Sequence, residues 1–226
     1  MKVTTLSSGA PALIEMVHPQ RTALLIIDVQ VDFGSAQGLY GRAGLDLSRV
    51  DTAVDRMLEL QEAAHRAGVF TVFVRLETGP DTDSLAAGER RKRNGTANGG
   101  RPCAAGTTGA DYYRVIPRPS DAQMIKHRYS SFTNTNMDFI LKARPGLDTL
   151  VICGLTTECC VDTAVRDAFV RDYHIFIPLD ACASYREDMH RVCGDIFAQY
   201  FAIMSPSKAI ADAWQSAARN RPTTSG

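Results

Sequence analysis

The sequence predicts an α/β protein: three αβα layers built on a doubly wound, mainly parallel, six-stranded sheet of Rossmann-like type. Two observations carry this expectation. Short apolar runs of strand length alternate along the chain with stretches whose apolar residues recur at helical spacing. Parallel strands need crossovers, and a helical crossover buries its apolar stripe on the sheet, so the alternation points to helices on both faces. A chain of 226 residues fits one domain, because a single core stops growing only beyond roughly 250 residues.

The first strand is expected at residues 22–28 (TALLIID), a buried run that ends on a carboxylate. A helix follows in which Val50, Ala53, Val54, Met57, Leu58 and Ala64 recur at helical spacing and which Gly68 stops. Residues 69–76 (VFTVFVRL) then close a βαβ unit. Next come a short strand at 123–127, a helix at 136–143, a strand at 149–155 (TLVICGL) and a helix at 161–171. Residues 174–180 (HIFIPLD) supply the fifth strand, 187–199 a helix, 201–204 the sixth strand, and 206–217 a closing helix with proline near its first turn.

Residues 77–120 are different: long, rich in Gly, Pro and Arg, and poor in periodicity. Loops of that length in compact domains are usually functional or mobile, which makes this one a candidate lid over the strand ends. Its run ERRKRNG reads as a solvated charged loop, with steering of an anionic substrate as the other reading. Residues 1–20 are read as an N-terminal extension of a single domain spanning 1–226.

With 45% hydrophobic and 22% charged residues, the composition is that of an ordinary globular protein. Twenty-five basic residues balance twenty-five acidic ones, so no global field draws the chain to nucleic acid or to an anionic membrane. A small molecule is the expected partner. No apolar run approaches the ~20 residues that cross a bilayer, and the N-terminus shows no signal core, so a cytoplasmic location is expected. The six cysteines, at 103, 153, 159, 160, 182 and 193, show no repeated CxxC and are read as reduced thiols.

In doubly wound sheets ligands bind outside the carboxyl ends of the strands, where Asp28, Lys126 and the Cys159/Cys160 pair fall. A thiol in the first turn of a helix meets unpaired N–H groups and the positive end of the macrodipole, which favour the thiolate. The turn GLTTE before it offers N–H groups to a developing oxyanion. Free cysteine is also a common core filler, so position alone leaves both readings open. Asp28 ends an apolar strand, where an ionised carboxylate is costly unless it is paired, capping a turn, or working. An Asp near a thiol can accept its proton, and a nearby lysine can hold the Asp ionised. Taken singly, Asp28 has the alternative of capping the next turn and Lys126 that of reaching solvent.

The combination resembles the isochorismatase-like cysteine hydrolases, in the branch of carbamoylsarcosine amidase, ureidoacrylate amidase and biuret hydrolase. It rests on ALLIIDVQVDF around Asp28, MIKHRYSSFTNTNMD around Lys126 and LVICGLTTECCVDTAVRDAFVRDYHIFIPLDACAS around Cys160, in the family's order over about residues 21–214. The resemblance implies that Cys160, directly before Val161, is the nucleophile, that Asp28 is the base and that Lys126 assists both. Cys159 is left to packing. It further implies a non-proline cis peptide at Leu155–Thr156 and an oxyanion hole formed by the N–H groups of Thr156 and Cys160. The implied reaction is hydrolysis of a small linear amide, N-carbamoyl or ureido compound through a covalent acyl-enzyme, with release of ammonia or an amine.

Nicotinamidases of the family carry a metal-binding Asp-x-His element after the second strand, but residues 76–84 (LETGPDTDS) contain no histidine. No metal and no other cofactor is therefore expected. Arg186 lies one residue from where the carbamoylsarcosine branch keeps an arginine, which suggests a clamp for an anionic substrate. It has the alternatives of capping the next helix or pairing with Glu187, and Arg75 is a second candidate clamp. The resemblance also implies a homodimer or homotetramer. Two rivals stand beside the amidase reading: an isochorismatase-type vinyl ether hydrolase using Asp28 without the cysteine, and a catalytically silent binding or scaffold protein.

Overall fold

The computed structural model describes residues 11–93 and 100–219. Residues 1–10, half of the expected N-terminal extension, lie outside the described residues, as do 94–99 within the long loop. The chain enters through helix α1 (Pro11–Met16) and strand β1 (Thr22–Ile27), all of whose residues are buried. Two short helices, α2 (Val31–Gly34) and α3 (Leu39–Arg42), precede α4 (Ser48–Ala67), which ends where Gly68 adopts the left-handed conformation, φ 74°. Then come β2 (Phe70–Leu76), α5 (Leu85–Arg93), β3 (Ala122–Lys126), α6 (Met137–Lys142) and β4 (Thr149–Leu155). A π turn over Thr157–Val161 opens α7 (Asp162–Phe169). Strand β5 (His174–Ile177), β6 (Cys182–Ala183), α8 (Glu187–Tyr200), β7 (Ile203–Met204) and α9 (Ser207–Arg219) complete the described chain.

All strand pairings are parallel, in the order β3-β2-β1-β4-β5-β7, with β6 paired to the end of β4. The described residues thus hold seven strands where the sequence predicts six. The extra one is two residues long, too short to show a period. The expected fifth strand stops at Ile177 rather than Asp180, because Pro178 has no N–H for the ladder and a 3-10 turn follows over Leu179–Ala181. Helices α4 and α9 pack together, with α1 against α9, in one outer layer; α7 and α8 form the opposite one. Trp214 of α9 is fully buried and donates its indole N–H to the Val17 carbonyl at 2.9 Å, tying the two ends of the described chain.

The segment 77–120 is more ordered than its composition suggests. Residues 89–93 of the charged run belong to α5, not to a loop. Helix α5 buries none of its residues, so it has no apolar stripe for a periodicity argument to find. The segment's described residues from 100 onward are laced to the chain that follows β1. Asp32 accepts the N–H of Cys103 at 2.7 Å and of Leu39 at 2.8 Å. The Gln30 amide donates to the carbonyls of Leu76 and Ala110 and accepts the N–H of Leu76, all at 2.8 Å.

The strand order reverses direction between β1 and β4, which opens a crevice at their carboxyl ends. There the two backbones approach so closely that a Cβ on Gly154 would lie 2.1 Å from the Ile27 carbonyl oxygen, and Gly154 itself has φ 134°. Alanine at this position meets both a clash and a backbone conformation that only glycine adopts freely. Gly154→Ala is expected to cost at least about 2 kcal/mol of stability, read as a lowered midpoint in urea unfolding. A midpoint equal to the parent's would show that β1 and β4 can separate without penalty.

Candidate active site

Three strand ends bring three side chains to one point. Asp28 directly follows β1 with φ 53°, a left-handed conformation that Asp tolerates better than most residues, and its N–H donates to the Val74 carbonyl at 2.8 Å. Lys126 is the last residue of β3 and is fully buried, as is Asp28. Cys160, 5% exposed, sits in the π turn after β4. The peptide bond between Leu155 and Thr156 at the entry to that turn is cis. The Thr156 carbonyl accepts the N–H groups of Cys159 and Val161, on either side of Cys160.

Lys126 is the hub. Its Nζ lies 2.8 Å from Asp28 Oδ2 and donates to Cys160 Sγ at 3.3 Å. It also donates to the carbonyls of Arg128 at 2.9 Å and Tyr129 at 3.1 Å. An ammonium taken out of water is tolerated only with such a set of partners. Neither alternative reading of these two residues describes the structure: Lys126 does not reach solvent, and the Asp28 carboxylate is paired with Lys126.

The electrostatics follow from burial. Desolvation raises the Asp28 pKa above the ordinary carboxylate value, against the opposing pull of the Lys126 charge and the Cys160 thiol. Burial works against the Lys126 ammonium as well, but the charges of Asp28 and Cys160 outweigh it, leaving its pKa above the ordinary lysine value. The hydrogen bond that Cys160 gives to Cys159, burial and the Asp28 charge together hold the Cys160 thiol up, with Lys126 pulling the other way. The helix start therefore does not by itself yield a resting thiolate, as position in sequence suggests. The arrangement instead sets a thiol whose pKa is pushed up beside a carboxylate whose affinity for a proton has been raised.

Of these groups Cys160 lines a cavity of about 640 Å³, together with Thr156, Glu158 and Cys159, while Asp28 and Lys126 are fully buried behind it. One wall is an aromatic stack, Phe33 on Tyr40 and Tyr40 on Tyr185, each pair with ring centroids 5.4 Å apart. Burial pushes the Tyr40 phenol up to about 12. The opposite wall comes from the long segment, where Ser84, Ala87, Arg90 and Arg91 face the cavity beside Arg128 and Tyr129.

Two expected residues fall elsewhere. Arg186 occupies the N-cap position of α8 with its side chain 65% exposed, and it pairs with Asp188 through Nε at 3.0 Å, not with Glu187 or the cavity. Arg75 alternates with Leu76 along β2; Leu76 lines the cavity, and Arg75 points to the other side and pairs with Glu77 at 3.5 Å. The cavity's arginines are instead Arg90, Arg91 and Arg128. The charged run is the sequence signal for the first two; Arg128 falls inside the MIKHRYSSF motif but without a role assigned to it, and no pattern marks Tyr40 or Tyr185. Cys159, expected to be packing, is half-buried and shares the cavity wall with Cys160. Among the described residues all six cysteines are free thiols, and no cluster of three or more His, Cys, Asp or Glu side chains could hold a metal ion.

A doubly wound α/β sheet with thiol, lysine and carboxylate gathered at the switch between β1 and β4 describes a class of hydrolase domain. This chain belongs to the isochorismatase family: the family's model, described as an isochorismatase domain, matches residues 22–209. The chain is 33% identical over 180 residues to the ureidoacrylate amidohydrolase RutB of Azorhizobium caulinodans, covering 73% of this chain and 77% of that protein. The crystal structure of N-carbamoylsarcosine amidase from Thermoplasma acidophilum superposes with a TM-score of 0.67 at 28% identity, over 83% of this chain and 96% of that one. A cysteine hydrolase from Pseudomonas syringae pv. phaseolicola shares the fold with a TM-score of 0.76 at 23% identity, over 95% and 99% of the two chains. Among the described residues no helix is long and apolar enough to cross a membrane.

Proposed function

We propose that this protein is a cysteine-dependent amidohydrolase that cleaves a C–N bond of a small ureido or N-carbamoyl compound. The observation that carries the reading is the contact of Lys126 Nζ with both Asp28 Oδ2 and Cys160 Sγ, the last of which lines the cavity. Asp28 takes the Cys160 proton as the sulfur attacks the substrate carbonyl, and the N–H groups of Thr156 and Cys160 receive the oxyanion. Collapse of the tetrahedral intermediate breaks the C–N bond, and Asp28 returns its proton to the departing nitrogen, which leaves as ammonia or an amine. Water then gives a proton to Asp28 and attacks the thioester or thiocarbamate, and the sulfur leaves and is reprotonated. Lys126 stays cationic throughout and balances each negative charge in turn.

The amidohydrolase named among the relatives and the amidase among the solved structures support the reaction class. The test is a panel of N-carbamoyl amino acids, ureidoacrylate, biuret, maleamate and nicotinamide, assayed for ammonia, with quenched reactions examined by intact-protein mass spectrometry. A ureido or N-carbamoyl compound is expected to release ammonia and to leave a transient mass adduct on Cys160. Ammonia release with no adduct under single-turnover conditions would overturn the covalent route and support direct attack by water that Asp28 deprotonates.

A further inference from the structure

Glu158 stands in the π turn two residues before Cys160 and lines the same cavity. Its Oε2 is closed off from solvent and has no hydrogen-bond partner among the described residues. A dry, unpaired carboxylate oxygen is costly, and Glu158 lines the cavity, so a turn of its carboxylate toward the cavity would let a bound donor satisfy it. Arg186, on the neighbouring helix, does not supply one, being held at the surface by Asp188. The cations of the cavity lie at its mouth. Arg90 and Arg128 are exposed, Arg90 donating to the Tyr129 hydroxyl and Arg128 to the carbonyls of Thr82 and His127. Arg91 is held by Asp83. The cavity is thus polarised, with an acceptor beside the thiol at its base and cations at its rim.

We infer that Glu158 is the specificity-determining acceptor for the terminal amino group of a ureido unit, so that the small donor-rich end of the substrate enters first. An anionic tail then stays at the Arg90 and Arg128 rim. The inference rests on the amide-hydrolase reading above and narrows it to ureido acids. A terminal –NH2 offers two donors and no competing acceptor, which matches a carboxylate that only accepts. An otherwise similar amide ending in methyl leaves Glu158 unpaired, and sites built to bond a polar group reject analogues lacking it more strongly than they reject a change of size.

The test uses calorimetric binding to Cys160→Ala protein, which keeps the cavity but cannot form the acyl-enzyme. The probes are N-carbamoyl-β-alanine and N-acetyl-β-alanine, which share a tail and differ in –NH2 against –CH3. The carbamoyl compound is expected to bind about tenfold tighter or more. Adding Glu158→Leu is expected to erase that preference by weakening the carbamoyl compound, whereas Glu158→Gln, which keeps a carbonyl acceptor, retains part of it. Equal weakening of both probes, an unchanged preference in the Leu variant, or binding of neither probe would overturn the inference. Failure of the parent enzyme to release ammonia, with the binding preference intact, would overturn the hydrolase reading and leave the Glu158 assignment standing.

Discussion

Replacing Cys160 by alanine is expected to lower kcat on the order of 10⁴-fold or more, while the protein stays folded. The substitution removes the sulfur that Lys126 contacts at 3.3 Å, the atom that in the proposed mechanism carries the acyl group between the two half-reactions. It deletes a single buried atom from a helix start, so the stability change is expected to stay within about 1 kcal/mol. Ammonia release and urea unfolding on the same preparation separate the two effects. For Cys159→Ala the loss is expected to be at most about tenfold, since Cys159 shares the wall and a hydrogen bond with Cys160 without the lysine contact. If the two alanine variants lost activity equally, the assignment of one nucleophile would fail.

The second large effect is expected at Lys126. Lys126→Met fills nearly the same space but leaves Asp28, fully buried, without its neutralising cation. Breaking a buried pair from one side typically costs about 3–5 kcal/mol, and a urea midpoint lowered to that extent is expected near neutral pH. Lys126 lowers the Asp28 pKa, so its removal raises that value further above the one Asp has in the unfolded chain. A carboxyl whose folded-state pKa is raised keeps its stabilising contribution below the unfolded pKa and loses it as pH rises through the folded one. The deficit of the variant relative to the parent is therefore expected to shrink on acidification. Any residual turnover should show its acid limb displaced to higher pH, because Asp28 must be ionised to accept the thiol proton. A deficit that stays constant between pH 4 and pH 8 would argue against a charged pair in the folded parent.

Much of this protein is legible from its sequence because its strands are uniform. A run such as TALLII can be stable only where both faces are covered, and six such runs separated by helical stretches leave little choice but a parallel sheet with two helical layers. Strand ends are then fixed by where polarity begins, which is why Asp28, Lys126 and the Cys159/Cys160 pair stand out as neighbours, while the choice of Cys160 within the pair rests on the family resemblance and the helix start; 34 residues separate Lys126 from Cys160. Elements without burial left no such mark. Helix α5 buries nothing, β6 is two residues long, and the cavity wall built from Tyr40, Tyr185 and Arg128 is assembled from positions with no common spacing.

The arginines show the limit most clearly. Arg186 and Arg75 were plausible clamps by position, yet a guanidinium bonds to the carboxylate that its own backbone presents, and for these two that is Asp188 and Glu77. Only the folded chain shows that α5 brings Arg90 to the cavity, that Glu158 on the wall of the same cavity keeps an unpaired oxygen, and that the Cys159 contact and burial push the Cys160 thiol up. Sequence determined the sheet, its switch point and the three residues gathered there, because apolar periodicity encodes which backbone is buried. Tertiary structure decided which charges meet, which stay dry and what shape of substrate fits, because pairing and desolvation depend on distances between segments that no local pattern records.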